Sequence, residues 1–248
     1  MELREKSRKI FAGLAGSYEL TLDLATFYQD RLWKDWVAER IGAPPGRLVL
    51  DIGCGTLVLE DRMKNLGARF VGLDLSQEML SIARTKDASS VELLANADAE
   101  FLPFTDGSFD SVVSCYVPKY VGAAMFAREL ARVTRPGADV LLYDFARPEG
   151  PLAPFLLAYI MAGLRAIGLG LRLAGRPEST TFRELPGIID TTRWDTELPL
   201  ALRRCGFEQV ETARFAGGVL FAYWGKRGRD NISLERRLGT KNGEVGRA

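Results

Sequence analysis

Hydrophobic positions fall into two regimes along this chain. From Glu2 to Arg40 they recur every three or four residues, at Phe11, Leu14, Tyr18 and Leu22 and again at Leu32, Trp33, Trp36 and Val37, the period of helices with one buried stripe. Pro44-Pro45-Gly46 stops that pattern,. Short apolar runs follow at Leu48–Ile52, Arg69–Leu73, Val91–Ala95, Phe109–Ser114 and Val140–Phe145. Helical spacing separates them at Thr56–Leu66, Ser76–Arg84 and Val121–Val133, the last expected to turn Phe126, Leu130 and Val133 inward,. Strands alternating with helices predict a parallel sheet covered on both faces. Thr134-Arg-Pro-Gly137 reads as a turn before the fifth strand.

Beyond Asp144 the pattern changes. Pro148–Gly175 is rich in Leu, Ala and Gly, with Arg165 and Arg172 as its interior charges, and predicts a long helix or a broken pair. Arg176–Asp190 reads as a polar connection and Thr192–Cys205 as a helix. Phe207–Arg214 and Gly218–Gly225 read as a closing antiparallel hairpin. The expected architecture is α/β: a doubly wound, mostly parallel seven-stranded sheet forming a single domain over residues 1–228. Helices at 1–46 act as a lid, and an apolar helical insert at 146–192 precedes the hairpin. The polar, basic stretch 229–248 is expected to be disordered.

Charge and composition narrow the chemistry. A formal net charge of +1 over 248 residues supplies no field for nucleic acid,. Cys54, Cys115 and Cys205 show no metal-ligand or disulfide spacing, which fits reduced thiols in the cytoplasm,. There is no histidine, so the commonest general base and zinc ligand are both missing, and no metal site is expected. The charged start carries no secretory signal, and the uncharged run Pro151–Leu164 is shorter than the roughly 20 residues a bilayer span needs,.

The first strand breaks straight after Asp51 into Gly53-Cys54-Gly55. Glycines there permit a tight turn and let a ligand lie against bare backbone. A strand, Gly loop and helix in that order place a small ligand at the carboxyl edge of a parallel sheet. Asp74, at the end of the second strand, stands where an acid can accept both hydroxyls of a ribose,.

Four segments together resemble the successive motifs of class I S-adenosylmethionine-dependent methyltransferases: Asp51-Ile-Gly-Cys-Gly-Thr, Gly72-Leu-Asp-Leu-Ser-Gln-Glu-Met-Leu80, Asp98-Ala-Glu-Phe-Leu-Pro-Phe104 and Ser108-Phe-Asp110. The resemblance implies the Rossmann-like methyltransferase fold and S-adenosylmethionine as cofactor. It places Gly53, Cys54 and Gly55 at the methionine part and Asp51 at the loop. Asp74 would hold the ribose, Leu75 and Met79 the adenine face, and Asp98 and Ala99 the adenine edge, with Cys115 on the wall. Ala15-Gly-Ser-Tyr18-Glu resembles the tyrosine segment that closes over the cofactor in such enzymes. The family's loop commonly continues Gly-Thr-Gly, whereas here Leu57 stands in the last place. A shifted helix start with the site retained is expected.

Flanking segments narrow the resemblance to the ubiquinone/menaquinone biosynthesis C-methyltransferases. They are Ile10 to Glu19, Arg31-Leu-Trp-Lys34, the insert through Ile167-Gly168 to Glu184-Leu-Pro, Cys205-Gly-Phe-Glu and Gly217-Gly-Val-Leu. That family methylates a ring carbon of a polyprenylated quinol precursor. It places an Arg-Asn pair after the fourth strand, where this chain has Lys119 and Tyr120; with Tyr116 these are the candidate catalytic residues, for stabilising a phenolate or taking its proton. The insert is expected to meet a prenyl tail or a membrane surface through 151–175. Packing on the sheet or on a second copy of the chain is the alternative. Another phenolic, amine or lipid acceptor, and a cofactor-binding relative without catalysis, are the competing functions.

Overall fold

The computed structural model describes residues 2–229 apart from 27, 42, 43, 87, 177 and 178. The tail from 230 onward, expected to be disordered, lies outside the described residues. Seven strands, β1 (Leu48–Ile52), β2 (Arg69–Asp74), β3 (Val91–Asn96), β4 (Phe109–Cys115), β5 (Thr134–Phe145), β6 (Phe207–Phe215) and β7 (Leu220–Arg227), form one sheet in the order β3-β2-β1-β4-β5-β7-β6. The first five pair in parallel. β7 runs antiparallel between β5 and β6, which makes the predicted edge hairpin. Nine α-helices accompany the strands among the described residues: α1 (Glu2–Leu14), α2 (Tyr18–Ala25), α3 (Gln29–Ile41), α4 (Val58–Met63), α5 (Gln77–Ala83), α6 (Ala123–Val133), α7 (Ala153–Leu173), α8 (Ser179–Thr191) and α9 (Trp194–Arg204).

The central strands are apolar at consecutive positions because both faces are covered. Leu50, Ile52, Val112, Val140 and Leu142 face Phe126, Leu130 and Val133 of α6 and Trp194, Leu198 and Leu202 of α9. Their neighbours Val49, Val113, Leu141 and Tyr143 face Val37 and Ile41 of α3 and Leu59 and Met63 of α4.

Three expectations need correction. The turn at Thr134–Gly137 is an irregularity inside β5: Phe109 pairs with Thr134, and the register then jumps so that Ser111 pairs with Asp139. The expected polar connection at Arg176–Asp190 is largely α8, whose Phe182, Ile188 and Ile189 are buried. Its apolar spacing is visible in the sequence, but Pro186 sits inside the helix, where proline ordinarily marks a break,. The insert begins as one unbroken 21-residue helix, α7. That is longer than the uncharged run suggested, and by length and composition alone it is apolar enough to cross a membrane. In this fold it lies against α8, where Met161 and Leu164 meet Phe182 and Ile189. Gly168 permits the close crossing, since a Cβ there would stand 3.0 Å from the Cβ of Phe182.

Leu57 takes a left-handed conformation (φ 63°, ψ 36°) just before α4, which begins at Val58. Glycine holds this region without the Cβ penalty that leucine bears. Its side chain is 1 % exposed and packs with Cys54, Leu80 and Ala83, away from the ligand edge of the sheet. The expected shifted helix start is thus observed, and Leu57 does not obstruct the site.

Candidate active site

At the carboxyl ends of β1, β2 and β4 a crevice of about 660 Å³, partly open to solvent, runs beneath α1. Its floor is fixed by hydrogen bonds from the loop after β1 to the end of β2. Gly53 and Cys54 donate their N–H groups to the Leu73 carbonyl at 2.6 and 3.1 Å. Gly55 N–H donates to Asp74 Oδ2 at 2.9 Å, and Ser76 N–H donates to Asp74 Oδ1 at 2.8 Å. Burial moves the Asp74 carboxyl up from its ordinary range, and those backbone donors oppose the shift. Each carboxylate oxygen accepts one of these bonds and has a further lone pair, and Asp74 lines the crevice. Asn96, unremarked in the sequence, donates to the Asp74 and Leu75 carbonyls at 3.0 Å each and so braces the same corner.

Backbone conformation requires glycine at both Gly53 and Gly55, and at Gly53 close packing requires it as well. Both have positive φ, 80° and 54°. A Cβ on Gly53 would collide with Val117, and one on Gly55 would stand 3.7 Å from Tyr18. Leu75, Met79, Asp98, Ala99 and Cys115 line the same crevice, as the motifs imply. Asp98 Oδ1 accepts the Glu100 N–H at 2.9 Å, which orders the turn after β3. The roof is aromatic. Phe11 of α1 makes edge contacts with Tyr18 (6.2 Å between centroids) and with Tyr120 (5.8 Å). Ile10, Leu14, Met79 and Ile188 of α8 pack around that cluster.

Two expected ligand contacts lie off the crevice surface. Cys54 turns its side chain into the Leu57–Leu80–Ala83 cluster, leaving only its backbone at the loop. Asp51 is buried beneath the loop beside Glu60 of α4, an acid the sequence gave no reason to single out. Burial pushes the Asp51 carboxyl up to about 7, and Asp74 adds to the rise.

The three catalytic candidates occupy two layers. Tyr116 and Tyr120 line the crevice. Lys119 lies beneath them, 5 % exposed, where its ammonium donates to Asp144 Oδ1 at 2.6 Å and to the Tyr116 carbonyl at 3.0 Å. The same ammonium stands 4.4 Å from the centre of the Tyr120 ring. Burial draws Lys119 down and Asp144 up, while their contact with each other opposes both shifts. Tyr116, at φ 65°, donates its hydroxyl to Asp30 Oδ1 at 2.6 Å, and the other oxygen of Asp30 pairs with Lys34 at 2.6 Å. Asp30, Lys34 and Asp144 were all missed. The first two have the (i, i+4) spacing of a solvated helix pair yet are almost wholly buried. Asp144 had one signal, a lone acid closing the apolar run Val140–Tyr143.

Tyr116 also forms a dividing wall. Its ring stacks on Phe145 at 5.2 Å and 27°. Phe145 faces an apolar groove of about 1170 Å³, much of it open to solvent, lined by α7 (Leu156, Ile160, Gly163, Ile167), Trp33 and Leu220.

Bare backbone beside an acid that can take a ribose, on a sheet of this order, defines the class I S-adenosylmethionine-dependent methyltransferases, and the crevice residues fit that cofactor. The chain belongs to the ubiE/COQ5 methyltransferase family, whose profile matches residues 2–227. Among curated relatives it is 32% identical over 221 residues to the demethylmenaquinone methyltransferase of Streptomyces avermitilis, covering 87% of this chain and 92% of that protein. It is 29% identical over 225 residues to the one from Tropheryma whipplei (strain Twist), covering 89% and 91%. Among solved structures, an S-adenosylmethionine-dependent methyltransferase from Thermotoga maritima superposes with a TM-score of 0.58 at 18% identity, over 89% of this chain and 99% of that one. At that identity the likeness speaks for the fold alone.

The raised Asp51 carboxyl makes stability depend on pH. The folded protein holds a proton that the unfolded chain releases near pH 4, so stability falls as pH rises from there to about 7,. Between about pH 5.5 and 7.5 the melting temperature of the cofactor-free protein is expected to drop by roughly 5 °C. Calorimetric scans across that range check it, and Asp51→Asn should flatten the profile.

Proposed function

We propose that the protein transfers a methyl group from S-adenosylmethionine to a ring carbon of a prenylated quinol of the kind its demethylmenaquinone-methylating relatives are named for. The observation that carries this reading is the Tyr116–Phe145 stack, one aromatic wall shared by the nucleoside crevice and the apolar groove. A flat ring held at that wall would meet the donor on one side and extend an isoprenoid tail along α7 on the other. Burial of such a tail against Leu156, Ile160 and Ile167 is favourable by about 25 cal/mol per Å²,.

The cofactor supplies an electrophilic methyl group, which leaves the protein to orient the acceptor, exclude water and handle one proton. A quinol ring carbon becomes nucleophilic when the adjacent hydroxyl loses its proton. Tyr116 is held above its ordinary range by burial and by Asp30, so it acts by relay and not as a free phenolate. The Tyr116 hydroxyl passes its proton to Asp30 while taking one from the quinol, with Lys34 balancing the charge. Lys119 has its ammonium committed to Asp144 and serves as a fixed positive charge beneath the rings. Of the two roles the sequence left open for Lys119, phenolate stabilisation and proton uptake, this reading takes the first.

Incubation with methyl-labelled cofactor and a prenylated demethylnaphthoquinol is expected to place the label on a ring carbon. Gly163→Phe, which fills the groove where a Cβ meets open space, should raise KM for the prenylated acceptor at least tenfold. It should leave cofactor affinity and turnover of a tail-less quinol unchanged; equal loss on both acceptors would contradict the groove assignment. Asp30→Asn should lower kcat by about 10²–10⁴ while cofactor affinity is kept. An unchanged kcat would remove Asp30 from the relay.

The outer face of α7 suggests where such an acceptor is met. Phe155, Tyr159, Leu169 and Leu173 are each more than half exposed, Arg165 and Arg172 flank them, and α7 contains no acid. We infer that this face rests on an anionic bilayer, with the groove opening toward stored lipid. Co-sedimentation with vesicles containing phosphatidylglycerol is the check. Binding should weaken with salt and in a Phe155→Glu, Leu169→Glu variant, and no binding at low salt would remove the inference.

A further inference from the structure

Beneath the glycine loop lie two acids that nothing in the fold neutralises. Asp51 closes β1 and Glu60 stands in the first turns of α4; they are 3 % and 2 % exposed. Asp51 Oδ1 and both Glu60 side-chain oxygens have no hydrogen-bond donor among the described residues. Two buried carboxylates side by side, each short of donors, are costly when both are ionised. The groups around them do not supply enough positive charge. Asp74 from β2 adds a third acid, while Cys54 of the loop and Cys115 of β4 are thiols pushed up chiefly by burial and further by the pair's charge. Lys34 from α3 reaches Asp51 only at a distance and is already paired with Asp30. Lys86 acts weakly on Glu60 and pairs with Glu19. The low-energy resting state therefore holds one proton between the two acids and carries a single negative charge.

The loop above the pair is the place where positive charge arrives. In the reading adopted for the crevice, the ribose sits at Asp74 and the methionine part at Gly53–Gly55. The sulfonium that joins them, and the α-ammonium beyond, then lie on the Asp51 side of the crevice. We propose that Asp51 and Glu60 form a proton-holding diacid that releases its shared proton to solvent when the cationic end of the cofactor docks above it. The charge balance is direct: the pair goes from one negative charge to two as one positive charge enters, and the proton leaves to buffer. Glu60 then acts as a positioning residue, through Asp51, and not as a ligand contact. The pair also gives the crevice a selectivity that carboxylates at the ribose cannot provide, favouring cationic over neutral nucleosides. Burial raises both acids; Asp51 raises Glu60 further, Asp74 adds to the rise of Asp51, and the hydrogen bond from Glu60 opposes it.

The proposal rests on the cofactor reading but fails separately from it. Calorimetric titration of the whole protein with S-adenosylmethionine, in phosphate and in Tris at matched pH, reads the protons released per molecule bound. Release of more than about half a proton is expected near pH 6.5, fading to none above about pH 8.5. Glu60→Gln, which keeps the shape and donates to Asp51, should bind the cofactor with release abolished and an affinity nearly flat across that range. S-adenosylhomocysteine keeps the ammonium but lacks the sulfonium, so release with it assigns the trigger to the ammonium, and release with S-adenosylmethionine alone assigns it to the sulfonium. Methylthioadenosine, which has neither, should release nothing. Binding of S-adenosylmethionine without proton release, equal release by Glu60→Gln, or equal release with methylthioadenosine overturns the proposal. Failure of S-adenosylmethionine to bind at all removes the cofactor reading instead.

Discussion

Everything at the ligand edge depends on the loop after β1 being tied to the end of β2. The Leu73 carbonyl accepts two N–H groups from the loop, and the Asp74 carboxylate accepts a third at Gly55. Those bonds hold the backbone at Gly53 and Gly55 in a left-handed course that non-glycine residues resist,. The same carboxylate that would take a ribose thus also shapes the surface on which the rest of the ligand lies. A side chain serving both ends ties the aspartate closing β2 to the glycines after β1, two separate motifs of the sequence.

A protein without histidine has to distribute its proton chemistry among groups that are harder to tune. Here buried acids are each set beside a phenol, a lysine or another acid. Asp30 with Tyr116, Asp144 with Lys119, and Asp51 with Glu60 are three such pairs, all within or just beneath the crevice walls. Burial shifts carboxyls toward neutral pH, where an imidazole would have titrated unaided. Two of the pairs are compensated by lysines, Lys34 and Lys119. The third is not, and that asymmetry singles it out.

The parallel core was readable because short apolar runs bounded by Gly, Asp and Ser have few other ways to fold. The crevice residues were readable because they sit at strand ends in a fixed order. Two kinds of feature were hidden. The first is helix α8, where Pro186 masked an apolar periodicity that tertiary packing on α7 restores. The second is burial of charge. Asp30, Lys34 and Glu60 have spacings that suit a solvated surface, and only the closure of α3 and α4 over the sheet removes them from water; Lys119 is buried in the turn after β4. No local pattern reports such closure. Leu57 shows the converse: a departure from the expected loop residue proved harmless because its side chain had a core pocket to enter.

The Tyr116–Phe145 stack sits at the ends of β4 and β5, whereas the groove beyond it is lined mainly by α7, with Trp33 of α3. On the proposed reading, donor and acceptor compartments are therefore drawn from different parts of the chain and meet along one aromatic partition. Substitutions on the outer helices can lengthen, narrow or redirect the lipophilic compartment while the nucleoside crevice keeps its shape. A scaffold divided in this way is free to diversify its acceptors over evolutionary time, or under laboratory selection, without having to rediscover how to hold its methyl donor.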